Sequence, residues 1–400
     1  MEPYILDSNF NIIRIVDDFE SMIWTDRYSE CGDFEIYTSA ESETAAYIKE
    51  DYYIFIKESD RMMITDSIEI QTNADTGNHI IISGKSLEYL LHRRVIWNLT
   101  IYSQNYDIND NPLEESTKPW AIIKYLINSN IADNPDCLIY RRIPNFEFKD
   151  PEDPRILDMD HIDIVSYFGE NLYDTVVDIC NAYNMGFKIT YDWDRNKIVM
   201  SLYMAEDRSY NQDINPHVVF SPRYENLINS DYKHSKSKYV NVIRIRGEGE
   251  GLDQIMTSIS TIDDGTSGSD HDEGNSVTGF NRYEGFSDKS STSSKYTEPD
   301  PENSEQYIEV QLSDAEYIQM LKKDVKDEEF ENVSITETFS GEVDYTTMYT
   351  YDEDYYIGDI VQIINEFGIQ KAVRITEYVR SEDNSGSKAY PTFEVVEEDN

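Results

Sequence analysis

Residues 218–251 restrict the possible folds more than any other stretch. They read VVFSPRYENL, a polar run, and then KYVNVIRIRGEGEG. Val218 to Phe220 has the pattern of a strand, Ser221 and Pro222 that of a turn, and the residues to Lys238 form a short polar ribbon. In the strand that follows, Ile243 and Ile245 point one way while Arg244 and Arg246 point the other, the period of a half-buried strand. Gly247, Gly249 and Gly251 then alternate with two glutamates. Alternating glycines clear one face of an extended segment, so another backbone approaches there or a bulge forms. The block is a junction between elements, and neither a phosphate loop nor a dinucleotide fingerprint fits it.

Strand grammar recurs on both sides of this junction. Residues 4–6, 12–16, 33–37, 52–56, 62–70 and 79–83 are short extended runs separated by Asn, Asp, Ser and Gly, a spacing that argues a compact antiparallel barrel or sandwich. Gly84 is expected to end the last of them, and Leu87, Leu90 and Leu91 then fit a short helix. Gly32 is read as a turn glycine with positive φ, and Gly358 as its counterpart near the other end. A helix is expected after Pro119, capped by Ser116 or Thr117, with Trp120, Ile123 and Ile127 on one face. Another is expected over 170–185, stopping at Gly186. A hairpin follows, in which Phe187, Ile189 and Tyr191 alternate with polar residues, Asp194 to Asn196 make the turn, and Ile198, Met200 and Leu202 return. Residues 287–295 and 297–305 have loop composition. Ser313 and Glu316 make a capping box for a helix that carries Tyr317, Met320, Leu321 and Val325, and residues 335–343, 357–364, 373–379 and 392–396 return to strand.

The chemistry available is narrow. The formal charge is −45, from 34 basic and 79 acidic residues, and such a field disfavours nucleic-acid binding through a basic patch. Cys31, Cys137 and Cys180 are odd in number and unpaired in spacing, so no disulfide framework is expected. The amino terminus lacks a secretory pattern and no apolar run approaches membrane-spanning length. HExxH, GxSxG and Walker signatures are absent, and the histidines are scattered. The acidic run 263–275 is a solvated loop in its simplest reading and a weak calcium candidate in the other, because it lacks EF-hand spacing. Trp24, Trp97, Trp120 and Trp193 read as core or interface anchors. Arg374, on an otherwise apolar strand, faces either solvent or an acidic neighbour. No catalytic, cofactor-binding or metal residue is assigned.

The junction block resembles the central block of the siphovirus tail-hub family, whose members are similar to the amino-terminal part of tail-associated lysins. IWTDRYSECGDFEIY (23–37), GKSLEYLLHRRVI (84–96), NRYEGFSD (281–288), DYYIGDIVQI (354–363) and VRITEY (373–378) match that family in the same order. Each motif alone is strand-and-turn chemistry; their common order across the chain is specific. The resemblance implies a mainly β chain with α+β insertions, in which two tube-like barrel or sandwich domains carry smaller peripheral domains. Under it the expected division is 1–96, a barrel-like hub domain; 97–216, inserted α+β modules; 217–255, strands returning to the framework; 256–312, a mobile acidic and Ser-rich region; and 313–400, a helix plus a second barrel-like domain. It further implies a homotrimer below the distal tail ring and tail tube, with the tape-measure protein in its channel and fibre or receptor-binding proteins attached. DNA would pass through the lumen without stable binding. The location implied is the virion tail tip, after synthesis in the host cytoplasm. The family often continues into a peptidase, lysozyme or fibre-binding extension; the expectation here is that none follows Asn400, so that the chain is not an enzyme. A tail-tip hydrolase of cell wall or polysaccharide, and a carbohydrate-binding adhesin, are the alternatives.

Overall fold

The computed structural model describes residues 1–40, 43, 47–73, 77–97, 100–101, 118–160, 166–262, 265, 277–300, 303–330, 335–344 and 348–396. From the amino terminus the elements are β1 (Tyr4–Leu6), β2 (Ile12–Ile15), β3 (Phe19–Arg27), β4 (Asp33–Ser39), β5 (Tyr53–Phe55), β6 (Met62–Asn73), β7 (Gly77–Ser86) and α1 (Tyr89–His92). Next come β8 (Thr100–Ile101), α2 (Pro119–Asn130), β9 (Phe146–Phe148), α3 (Pro154–Leu157), β10 (Ser166–Tyr167), α4 (Leu172–Ala182), β11 (Gly186–Asp192) and β12 (Lys197–Tyr203). The junction region holds β13 (Val219–Phe220), β14 (Leu227–Ser235), β15 (Val242–Arg246) and β16 (Met256–Ser260). The remainder is β17 (Glu284–Asp288), β18 (Lys295–Asp300), β19 (Asn303–Gln311), α5 (Asp314–Glu329), β20 (Thr336–Val343), β21 (Ile360–Ile364), β22 (Gln370–Asp383) and β23 (Gly386–Val395). The mainly β class with few helices matches the expectation.

The chain forms two compact units, one of Met1–Asp231 with Phe339–Asn400 and one of Tyr232–Thr338. These bounds differ from the divisions read at 96, 216, 255 and 312, because the strand runs at the two ends of the chain share one sheet. In the first unit that sheet runs β13-β21-β22-β3-β4-β7-β6-β5-β1-β2, with β23 on β22. The joint is the antiparallel pairing of β22 with β3, which sets Arg380 opposite Trp24 and Val379 opposite Thr25. Trp24, Phe34, Ile36, Ile54 and Ile82 bury one face of the amino-terminal strands. A separate core gathers Leu87, Leu90 and Leu91 with Ile122, Ile123, Leu126 and Ile127 of α2, Val176 of α4 and Phe187, Ile189 and Met200 of the β11–β12 hairpin. Each fully buried aliphatic side chain contributes roughly 1.5–3 kcal/mol.

Three local expectations change. Gly84 lies inside β7, where a Cβ would stand 1.9 Å from the Ile64 carbonyl oxygen, so close strand approach fixes the residue. Gly32 is a glycine for the same reason, its Cβ position lying 2.4 Å from the Thr25 carbonyl oxygen, while Gly358 does adopt the left-handed region at φ +92. The second long helix ends at Ala182, and Asn184 at φ 53 turns the chain before Gly186 opens β11. Ser116 and Thr117 lie outside the described residues.

In the second unit, β15 pairs antiparallel with β16 and parallel with β17. Ile243, Ile245 and Ile259 pack on Tyr317, Leu321 and Val325 of α5, whose amino terminus carries the expected Ser313–Glu316 capping box. The glycine junction is filled by this helix: a Cβ on Gly247 would meet Leu321 Cδ1 at 2.8 Å and Tyr317 Cε1 at 2.9 Å. At Gly249 the approaching backbone is local, the Asp253 carbonyl oxygen at 2.2 Å from the Cβ position. Strands β18 and β19 form a hairpin where 297–305 was expected as loop. Pro299 is compatible with it because a two-stranded hairpin leaves edges where no N–H is required. The acidic run 263–275 lies outside the described residues apart from Gly265.

Candidate functional site

Charge is concentrated where β22 meets β3. Strand alternation turns Asp26 of β3 and Arg380 of β22 to the same side, and both are buried, with an ion pair of 2.6 Å. The Asp26 carboxylate also accepts from the Trp24 indole N–H at 3.0 Å and the Ser59 hydroxyl at 2.9 Å. The Arg380 guanidinium lies over the rings of Tyr378 and Tyr351, 4.7 and 5.4 Å from their centroids, and those two rings stack at 3.7 Å. Arg61, in the connection from β5 to β6, reaches the fully buried Glu88 at the start of α1, and its other nitrogen donates to the Arg27 carbonyl at 3.0 Å. Glu88 also accepts from the Ile189 amide of β11 at 2.8 Å. Asp60 pairs with Lys188, and Asp359 with Arg208 at 2.7 Å.

Asp26, Asp60, Arg61, Lys188, Arg208, Tyr351, Asp359 and Arg380 line a cavity of about 590 Å³ together with Tyr203, Met204, Tyr356 and Ile357. Burial lifts the Tyr203 and Tyr351 hydroxyls above the ordinary phenol range. Tyr351 owes its shift first to that burial and then to the neighbouring Asp352 carboxylate. Burial also raises Asp60, but Lys188 and Arg61 outweigh it and hold its carboxyl below the usual carboxylate range. Arg380 loses basicity to burial and regains more from Asp26. Cys31 is pushed up to about 12, first by burial and then by Glu88. The buried carboxylates of the cluster, Asp26, Glu88 and Asp359, each face a cation, while burial raises Asp352 on the cavity wall above the usual carboxylate range. What the arrangement does well is lock together segments distant in sequence, and Arg27 repeats the device, bridging Asp33 and Glu377 at 2.6 Å each.

Arg374 is half-buried and stands opposite Glu394 in the β22–β23 register. It donates to the Gly358 carbonyl at 2.9 Å and to Asn184 at 3.3 Å and lies over the Tyr28 ring, on the wall of a second cavity of about 740 Å³. Trp24 is a core residue, while Trp97 and Trp193 are more than half exposed. The three cysteines are free and buried. Among the described residues no group of three His, Cys, Asp or Glu could hold a metal ion, and no helix is long and apolar enough to cross a membrane. Sequence reading missed the Asp26, Arg61, Glu88 and Arg380 cluster; the signal available for Asp26 and Arg380 was a charged residue inside an otherwise apolar strand pattern, and Arg61 and Glu88, outside the strands, had none of that kind.

A family model described as Siphovirus ReqiPepy6 Gp37-like protein matches residues 2–393. Among solved structures, the 43 kDa tail protein of prophage MuSo2 from Shewanella oneidensis is 12% identical and superposes with a TM-score of 0.51, covering 99% of this chain and 98% of that one. The prophage tail protein gp18 from Listeria monocytogenes is 12% identical, with coverage of 98% and 94% and a TM-score of 0.44. A chain of the phage P2 baseplate in its activated conformation with Ca gives 12% identity, 98% coverage of both chains and a TM-score of 0.44. No curated protein sequence matches. At such identity the Shewanella structure speaks to the fold alone.

Proposed function

Because the chain belongs to the Siphovirus ReqiPepy6 Gp37-like protein family, and is a phage tail structural protein by family and fold, we propose that three copies of it form the hub at the distal end of the tail. The observation that carries this reading is the single sheet running through both ends of the chain and locked at β3–β22 by the buried Asp26–Arg380 pair and by Arg27 on Glu377. A ring element that bears load needs its halves to move as one body, and a long-range ladder reinforced by paired charge supplies that. In this reading the hub adapts the sixfold tail ring to threefold symmetry. It receives the tape-measure protein, supports fibres or receptor-binding proteins, and closes the tube until genome ejection during host attachment. Its place is the virion, after synthesis in the host cytoplasm. The role is structural, which is supported by the pairing of each buried carboxylate with a cation.

A trimer would carry three times the chain's −45, or −135 formal charges. Part of that charge lines the lumen in our reading, where like charge keeps passing DNA from sticking. The test is the mass of the purified chain by light scattering across a concentration series, followed by imaging on the distal tail ring. A species near three times 46.6 kDa is expected. A chain that stays monomeric both alone and on the tail ring would refute the hub, and a neutral or basic channel wall would refute the lumen charge.

A further inference from the structure

Arginines in this chain generally face carboxylates: Arg61, Arg155, Arg208, Arg282 and Arg380 each have one within ion-pair distance. Arg94, Arg141 and Arg142 have none among the described residues, although the chain's net charge is −45. Their guanidiniums are pinned on backbone carbonyls instead. Arg94 forks onto the Arg141 carbonyl at 3.1 and 2.9 Å, and Arg141 reaches the Val95 carbonyl at 2.6 Å. Arg142 spans the Cys137 and Pro135 carbonyls at 2.9 and 3.2 Å. A guanidinium carries five N–H donors, so each keeps donors to spare, and among the described residues neutral acceptors leave its charge uncompensated. Their proximity is felt in the titration of Arg94, lowered first by burial and then by Arg141.

Large apolar side chains adjoin these fixed charges. Ile139 and Tyr140, in the loop that Arg142 braces, are 80% and 81% exposed, and Trp97 and Phe168 are 63% and 53% exposed with their rings 5.4 Å apart. The amide of Ile96 bonds to Glu170 and that of Gly169 to Ile96, which ties the segment bearing Trp97 to the one bearing Phe168. Contiguous aromatics beside preorganised arginines have the composition of an interface centre. Singly exposed apolar residues would need no such account.

We infer that this patch, Arg94, Arg141 and Arg142 with Trp97, Tyr140 and Phe168, docks on an acidic face of a second copy of the chain. Charge complementarity selects that occupant: a chain so rich in carboxylates offers an acidic counterpart, and this patch is basic. It also fixes the kind of contact. Three guanidiniums repel their own image, so the patch does not pair with itself across a twofold axis. The contact is head to tail, the kind that closes into a ring. The inference rests on the homotrimer proposed above and assigns one side of its interface.

The experiment is light scattering of the full chain over a concentration series at low and high salt, in wild type and two variants. One variant is Arg141→Glu with Arg142→Glu. The other is Ile139→Asp with Tyr140→Asp, whose side chains project into solvent, so that folding is kept even if the arginine variant unfolds its loop. Wild type should trimerise, less tightly as salt rises, and each folded variant should dissociate about tenfold or more readily. A folded Ile139→Asp/Tyr140→Asp variant that trimerises like wild type overturns the docking surface and leaves the trimer standing. A wild type that is monomeric throughout, in solution and on the distal tail ring alike, sinks the trimer reading and the inference with it. Unchanged trimerisation with lost binding to a soluble polyanion such as heparin also overturns the second-copy assignment, in favour of an anionic polymer.

Discussion

The first unit is held by pairings between residues far apart in sequence, whereas the second is held by one helix lying on a three-stranded sheet. Arg380 and Asp26, or Arg27 and Glu377, are separated by about the length of the chain. Ile243, Ile245, Ile259 and α5 all fall within the stretch from Tyr232 to Thr338. The contrast teaches that the same period-two strand grammar yields two kinds of stability. Long-range ladders depend on a few charges meeting in the right place, while a local helix-on-sheet core depends on shape, as the fit of Tyr317 and Leu321 against Gly247 shows. Calorimetry of the intact chain should therefore show two transitions, and a single transition in every variant would break the comparison.

The largest effect is expected from Arg61→Met, which leaves the fully buried Glu88 without its cation. It should cost about 3–5 kcal/mol and lower only the transition of the first unit. Leu321→Ala should cost about 3 kcal/mol and lower only the other transition, because Leu321 is fully buried in the small core. Ser313→Ala removes the hydroxyl of the capping box and should cost about 1 kcal/mol, again in the second unit alone. The smallest effect concerns acid. The folded pKa of Asp60 is held below the unfolded value, so its carboxylate contributes stability above an ordinary value of about 3.9 and loses that contribution as the pH falls through the folded value. Comparing melting temperature against pH in wild type and Asp60→Asn, the acid sensitivity of the first unit should lessen in the variant. Asp60 is more than half exposed, which keeps the change small. An equal slope in both proteins would remove Asp60 from the lock.

Local grammar was readable where a residue's neighbours decide its structure. The alternation of Ile243 and Ile245 with Arg244 and Arg246 and the Ser313–Glu316 box appear as written in the sequence. So does the hairpin whose strands carry Phe187 and Ile189 on the way out and Met200 and Leu202 on the return. The joint between β22 and β3 was not readable, because no periodicity links Arg380 to Asp26. Gly84 misled for a related reason: a glycine that ends a strand and one that admits a crossing backbone look alike until Ile64 is placed beside it. The hairpin of β18 and β19 was hidden by Pro299 and the glutamates of its strands, a composition that suits a loop equally well. At the candidate site, the residue types Asp26, Arg61, Glu88 and Arg380 were visible, but their neutralisation by one another depends on the tertiary fold.

Strands β14 and β20 pair with each other, Asn229 reaching Glu342 and Tyr232 reaching Glu337. The chain thus departs from the first unit and comes back to it on adjacent strands. A segment with neighbouring entry and exit can be lengthened, exchanged or excised without rethreading what precedes and follows it. Residues 232–338 form such a cassette, whose exchange would leave the threading of the surrounding sheet unchanged.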